Sequence, residues 1–262
     1  LLLNTITIGF DAEFNLGPLT IAWHGLTIAV GLFVGGLAAF RYSREIDLEP
    51  DPLFTIGMLA GVGGIVGSRL LFVVEQGGPL FGTRGFSLAG GVILAALLIV
   101  GYIWRQRLNW RYMDAVAIAL PLGLAIGRIG DLINGEHYGP ESGFLLAVRN
   151  SSPDALTPDP ALAYHSGGLY EVMLGALIFA VVWPLRHRFP EIGQITWLVL
   201  GLFAAGRFVE FFVRTDSPDL ALGLNNTQWI SLAMLVVAIA GWIFTSHRSR
   251  RRASGSERVP DG

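Results

Sequence analysis

Seven stretches of mostly apolar residues, each long enough to cross a bilayer, constrain this chain more than any other feature of its sequence. A helix needs roughly 20 apolar residues to span a hydrocarbon core about 30 Å thick, and such stretches lie at about 19–40, 53–74, 87–104, 114–133, 168–185, 193–213 and 227–245. Composition agrees: of 262 residues, 52% are hydrophobic and 15% charged, where a soluble domain carries about 25% charged residues. The fold class this predicts is an all-α, polytopic membrane protein with seven transmembrane helices and a small periplasmic loop region, built as one integral domain over 1–245. Residues 246–262, rich in arginine and serine, read as a disordered basic tail. No repeat or domain-length linker interrupts the series. Nor does a basic leader with a cleavage site precede the first span, which is therefore expected to anchor the mature protein.

Arginine distribution gives an orientation. All 18 basic residues are arginines, and twelve of them fall after the first, third and fifth spans or in the tail. The opposite side holds Arg84, Arg149 and Arg214 together with Asp11, Glu13, Glu141, Asp154 and Asp159. The positive-inside rule then puts the N-terminus outside and the C-terminus in the cytoplasm. This charge pattern is a topology signal and not a nucleic-acid footprint. The longest connection, about 134–167, falls outside and is large enough to form a small external structure. Pairs Gly63-Gly64 and Gly90-Gly91 are expected to let helix backbones approach closely.

An ionisable group inside a span costs roughly 2.5 to 3.5 kcal/mol on insertion scales, so each one calls for a reason. Six occur: Arg69, Arg128, Asp131, Glu171, Arg207 and Glu210. With the orientation above, all six, together with His24 and Tyr170, gather in the outer half of the membrane. Arg128 and Asp131 share a helix face at i,i+3, as do Arg207 and Glu210, and Arg214 follows Glu210 at i+4. Arginines held this way from several helices would suit a phosphate arriving from the outer leaflet, because the guanidinium fork matches phosphate oxygens. For any one of them, snorkelling or a structural ion pair explains the charge as well.

His24 sits in a polar break, Trp23-His24-Gly25, as either a proton acceptor or a hydrogen-bonded core histidine. There is no cysteine, no HExxH and no comparable ligand spacing, so no metal site is expected. A thiol, if one takes part, belongs to a substrate.

The stretch Gly127-Arg128-Ile129-Gly130-Asp131-Leu132-Ile133-Asn134-Gly135-Glu136-His137-Tyr138-Gly139 resembles the signature of the prolipoprotein diacylglyceryl transferase family, Gly-Arg-x-Gly-Asn-x-x-Asn-x-Glu. Four further pieces fall in the family's order: Trp23-His24-Gly25-Leu26, Gly67-Ser68-Arg69-Leu70, His165 through Leu169-Tyr170-Glu171, and Gly206-Arg207-Phe208 with Glu210, Arg214 and Asp216. The chain departs from the family's usual pattern at His24, where tyrosine is common, at Asp131, where asparagine is common, and at Ala89, aligned with a histidine or tyrosine.

What the resemblance implies is a bacterial inner-membrane enzyme that moves the diacylglyceryl group of phosphatidylglycerol onto the lipobox cysteine of a prolipoprotein, with no cofactor. Arg128 and Arg207 would stabilise the leaving phosphate, and His24 or Glu210 would accept the thiol proton. Arg69, Asp131, Asn134, Glu136, Tyr138, Gly139, Tyr170 and Glu171 would bind the substrates. Two other readings use the same residues. A diverged, non-catalytic phospholipid-binding paralogue is suggested by the departures at His24, Ala89 and Asp131. A transporter is disfavoured because its charges would cluster near the midplane, in paired repeats of broken helices.

Overall fold

A computed structural model describes residues 5–77, 79–80 and 87–256. Among them are seven α-helices: α1 (Trp23–Glu45), α2 (Asp51–Gln76), α3 (Leu88–Arg105), α4 (Arg111–Asn134), α5 (Gly167–Leu185), α6 (Gln194–Glu210) and α7 (Asn226–Ser256). Five of these, α1, α2, α4, α5 and α7, are long and apolar enough to cross a membrane, whereas α3 is a shorter apolar helix and α6 has 17 residues. Burial is inverted relative to a water-soluble protein. Phe33, Phe54, Leu177 and Val236 lie exposed on the helices, while Asp131, Glu171, Gln228 and Ser231 are buried. That partition is stable where the surrounding solvent is hydrocarbon and each internal polar group finds a protein partner.

The expectation of an all-α chain needs amendment, because the described residues include eight short strands, three before α1 and five between later helices. They are β1 (Ile6–Ile8), β2 (Glu13–Leu16), β3 (Leu19–Ala22), β4 (Tyr138–Glu141), β5 (Val148–Asn150), β6 (Tyr164–Ser166), β7 (Asp219–Ala221) and β8 (Leu224–Asn225). None exceeds four residues, too short to display the alternation by which a strand is read from sequence. β2–β3 and β7–β8 are antiparallel hairpins, and a four-stranded sheet takes the order β1-β5-β6-β4. β1 and β5 are parallel, with Ile6 opposite Val148 and Ile8 opposite Asn150. Three strands run straight into helices: β3 into α1, β6 into α5 and β8 into α7. The Ser166 side chain caps α5 by accepting a hydrogen bond from the Leu169 amide at 3.2 Å.

The helix boundaries fall within a few residues of the predicted ones except at the C-terminus. There α7 continues to Ser256, so 246–256 extend a helix where a disordered tail is expected. Residues 257–262 lie outside the described residues.

Two compact units divide the chain, one comprising 1–35 and 116–262, the other 36–115. In the second, α2 and α3 meet through glycines as the Gly63-Gly64 and Gly90-Gly91 pairs predict. A Cβ on Gly91 would stand 2.8 Å from the Gly64 carbonyl oxygen, and one on Gly63 2.8 Å from Ala95 Cα. Only backbones without side chains come this close. In the first unit, α1 and α4 are joined where the Thr27 hydroxyl donates to the Gly127 carbonyl at 3.0 Å.

Candidate active site

The C-terminal end of α4 organises the site. Asn134 is its last residue and Gly135 adopts φ +69°, a left-handed conformation that costs glycine nothing. The Glu136 amide then returns to the Asp131 carbonyl at 3.0 Å, which closes the helix as a Schellman turn. This stop is buttressed from β5, where the Asn150 side-chain amide donates to the Leu132 and Ile133 carbonyls at 2.8 and 3.0 Å. Two otherwise unpaired helix-end carbonyls are thereby satisfied. His137 follows in a left-handed conformation of its own, φ +58°, an unfavourable state for a side-chain-bearing residue that its contacts hold in place.

Glu171, near the start of α5, is 1% exposed and is the common partner of three arginines. Its Oε2 pairs with Arg128 Nε, and its Oε1 with Arg207 and, at 2.8 Å, with Arg214 Nη1. Glu210 takes a second hydrogen bond from Arg207 at 3.3 Å and another from Arg214 at 2.8 Å. Asp131, also 1% exposed, pairs with Arg128 through Oδ2 and with His24 Nδ1 through Oδ1 at 2.6 Å. Arg214 Nε donates to Asp216 Oδ1 at 2.8 Å. Asp216 Oδ2 is 2.9 Å from His137 Nδ1, and His137 Nε2 is 3.9 Å from Asp131 Oδ2. The contacts form a closed circuit: Asp131, Arg128, Glu171, Arg214, Asp216, His137 and back to Asp131.

Each charge inside this circuit is compensated, which is the condition for burying it. Arg128 and Arg207 side chains are each 12% exposed, against 3% for Arg214. Among the described residues, Nη2 of Arg128 and both Nε and Nη2 of Arg207 have no protein acceptor, so these two arginines keep donors available for a ligand. The Arg207 guanidinium also lies over the Phe211 ring, 4.6 Å from its centroid, which limits how it can turn. Beyond the end of α6, burial alone would raise the Asp216 carboxyl. Hydrogen bonds with His137 and Arg214, reinforced by their charges, outweigh it and hold that carboxyl well below the usual carboxylate range.

The other residues singled out by the sequence are placed as follows. Asn134 donates to Glu136 Oε1 at 2.9 Å, and its own Oδ1 is enclosed without a partner. Tyr138 stacks at a tilt on Tyr164, with ring centroids 5.7 Å apart. Gly139 passes so close to the Val213 carbonyl that no side chain would fit. Tyr170 shares a hydrogen bond of 2.6 Å with His165 Nδ1. Arg69 belongs to the other unit, on α2, where Nε donates to the Leu80 carbonyl at 3.0 Å and Nη2 to that of Pro79.

The third arginine around Glu171 is therefore Arg214, where intramembrane charge alone points to Arg69. His137, Arg214 and Asp216 lie beyond helix ends and are absent from the substrate-binding and catalytic residues expected from the sequence. The signals for two of them are already there, in the i,i+4 spacing of Glu210 and Arg214 and in the Arg-x-Asp pair. His24, Asp131 and Glu136 also bring ligand-type atoms within 4.8 Å of one another, but the His24 and Asp131 atoms already pair together.

The match to known proteins is extensive. The model of the family described as prolipoprotein diacylglyceryl transferase matches residues 12–244, which contain every residue of the circuit. A phosphatidylglycerol–prolipoprotein diacylglyceryl transferase of Polaromonas naphthalenivorans (strain CJ2) is 32% identical over 284 residues, covering 91% of this chain and 96% of the relative. Proteins of the same name are 28% identical in Dehalococcoides mccartyi (strain ATCC BAA-2266 / KCTC 15142 / 195), over 90% of this chain and 94% of the relative, and in Erythrobacter litoralis (strain HTCC2594), over 93% and 92%. With the signature on α4, the arginine circuit around Glu171 and this coverage in agreement, the chain belongs to the prolipoprotein diacylglyceryl transferase family.

Proposed function

We propose that this chain transfers the diacylglyceryl group of phosphatidylglycerol to the lipobox cysteine thiol of a prolipoprotein and releases glycerol phosphate. The observation that carries the proposal is the pair of arginines, Arg128 and Arg207, fixed by one buried carboxylate yet each retaining free N–H groups. In the reaction the thiolate sulfur attacks the glyceryl carbon, a C–S bond forms and the C–O bond to phosphate breaks. Charge then grows on the leaving phosphate, where preorganised guanidinium donors lower the barrier.

The thiol must first lose its proton, because the thiolate is the nucleophile. His24 suits this role better than Glu210. Its side chain is 43% exposed, whereas both Glu210 oxygens accept hydrogen bonds from arginines and only 4% of that side chain is exposed. Glu210 serves instead to orient Arg207 and Arg214. The enclosed, unpartnered Asn134 Oδ1 supports a contact with a headgroup hydroxyl. Glu136, Tyr138, Gly139 and Tyr170 complete the wall around the substrates.

All seven helices cross the bacterial inner membrane in this reading, with the N-terminus and the β-strands on the periplasmic side and the C-terminus in the cytoplasm. The arginine asymmetry and the direct entry of β3, β6 and β8 into odd-numbered helices support that orientation. The test is transfer of labelled diacylglycerol from phosphatidylglycerol to a lipobox peptide by purified protein. Labelled peptide is expected; folded protein that leaves the peptide unlabelled beside an active relative would sink the proposal.

A further inference from the structure

His24 is open on one edge and closed on the other. Its Nδ1 is shut off from solvent and lies 2.6 Å from Asp131 Oδ1, while the side chain as a whole is 43% exposed. Asp131 is 1% exposed, and its second oxygen is ion-paired with Arg128. A carboxylate so paired is ionised and can only accept hydrogen bonds. The two atoms approach closely off the line of a full hydrogen bond; because the carboxylate has no proton to give, the neutral ring keeps its proton on Nδ1, which leaves the lone pair on Nε2, at the open edge. Packing fixes this geometry as well. Gly130 precedes Asp131 and faces the start of α1, where a Cβ would stand 2.5 Å from His24 Cα. The other charged groups facing the ring are Arg128 on α4 and Glu136 just beyond it, and His137 approaches the same Asp131 carboxylate at 3.9 Å.

We propose that His24 and Asp131 act as a single unit, in which Asp131 is a positioning residue that fixes the imidazole tautomer and stabilises the imidazolium formed when Nε2 takes the substrate thiol's proton. This rests on the reading of His24 as the proton acceptor. The proton moves from sulfur to Nε2, the electron pair left on sulfur forms the C–S bond, and the C–O pair departs with the phosphate. The imidazolium then returns its proton to the released glycerol phosphate or to water. A carboxylate on the far nitrogen of a general-base histidine is a recurrent arrangement that keeps the acceptor nitrogen unprotonated and aimed.

A double-mutant cycle tests the unit. Transfer rates are measured across neutral to alkaline pH for the wild type, His24→Ala, Asp131→Asn and the double variant, with folding checked by thermal melting. His24→Ala is expected to lose about 10²- to 10⁴-fold, the usual worth of general-base assistance. Asp131→Asn should slow the wild type yet leave the His24→Ala protein no slower than it already is, since residues acting as a unit are non-additive. Both losses should shrink as pH approaches the thiol's own pKa of about 8.5. If Asp131→Asn slows the His24→Ala protein by its full factor, Asp131 acts only through Arg128 or the fold, and the unit is overturned while His24 stands. A wild-type rate for His24→Ala overturns the acceptor reading and the unit with it. Should Asp131→Asn fail to fold, ¹⁵N-histidine spectra of the wild type decide, with His24 assigned by its loss in His24→Ala. The neutral ring should carry its proton on Nδ1; a proton on Nε2 overturns the proposal.

Discussion

Arg214 and Asp216 meet in a two-pronged pair, Nε to Oδ1 at 2.8 Å and Nη2 to Oδ2, just beyond the end of α6. Asp216 also faces His137, so its carboxyl ties the segment after α6 to the segment after α4. The resulting depression of its pKa sets a sign for pH dependence. A carboxyl that is more acidic folded than unfolded contributes stability that is complete above its unfolded value, about 3.9, and is lost as pH falls through the folded value below that. Asp216→Asn should therefore melt lower than the wild type above about pH 5. The gap should narrow below about pH 4, as thermal denaturation in detergent will show.

Glu171→Gln removes the charge shared by three guanidinium groups while keeping the side chain's shape. Breaking a buried ion pair from one side costs about 3–5 kcal/mol, because the remaining charges lose their partner. The variant is expected to melt well below the wild type and to transfer diacylglycerol at least about 100-fold more slowly. A wild-type melt would mean that the arginines are held by Asp131, Glu210 and Asp216 alone.

Arg128→Lys should fail nearly as badly as Arg128→Ala. Arg128 uses Nε and Nη1 on two different carboxylates and keeps Nη2 over, a division of labour that a point ammonium charge cannot reproduce. Arg188→Ala is the control. It lies past the far end of α5 from Glu171, roughly 25 Å along the helix at 1.5 Å per residue, and its removal should leave the rate unchanged.

Topology can be read from single cysteines, because the chain has none of its own. Ala161 is exposed in the loop before β6, whereas Ser152 is buried and bonded to Asp11 and would report poorly. In intact cells a membrane-impermeant thiol reagent should label Ala161→Cys and spare Ser254→Cys until the membrane is opened. The reverse pattern would invert the proposed orientation.

Gly130→Ala tests how tightly α1 and α4 must close around His24. The added methyl would meet His24 Cα and the Thr27 hydroxyl oxygen, at 2.5 and 2.6 Å, and overpacking of this kind typically costs about 1–3 kcal/mol. Loss of transfer should accompany the loss of stability, since the clash falls on the imidazole's own backbone. A normal melting temperature with a normal rate would show that the helices can part here freely.

The helices and half of the site were legible because lipid imposes its length and apolarity on every span, and because pairs at i,i+3 and i,i+4 share a face whatever the rest of the chain does. Arg128 with Asp131, and Glu210 with Arg207 and Arg214, follow from spacing alone. Contacts made across loops do not. Glu171 is 43 residues from Arg214, and His137 is 79 from Asp216; nothing local in the sequence announces either meeting. The strands were hidden because each is only two to four residues long, and β1 also depends on a partner distant in sequence for its hydrogen bonds. Nor is there a local stop for α7 after position 245, where arginine, serine and alanine continue a helix as readily as they form a tail.

The parallel pairing of β1 with β5 also imposes an order on biogenesis. Residues 6–8 leave the ribosome long before their partners at 148–150, and helices α1 to α4 are synthesised in between. Until α4 is in place and its end has been clasped by Asn150, the early strand has no template. The four-stranded sheet is thus a late event in assembly, closing a contact of high sequence separation, the kind of step that is slow in any fold. Cells that degrade immature protein would meet this chain with that sheet still open.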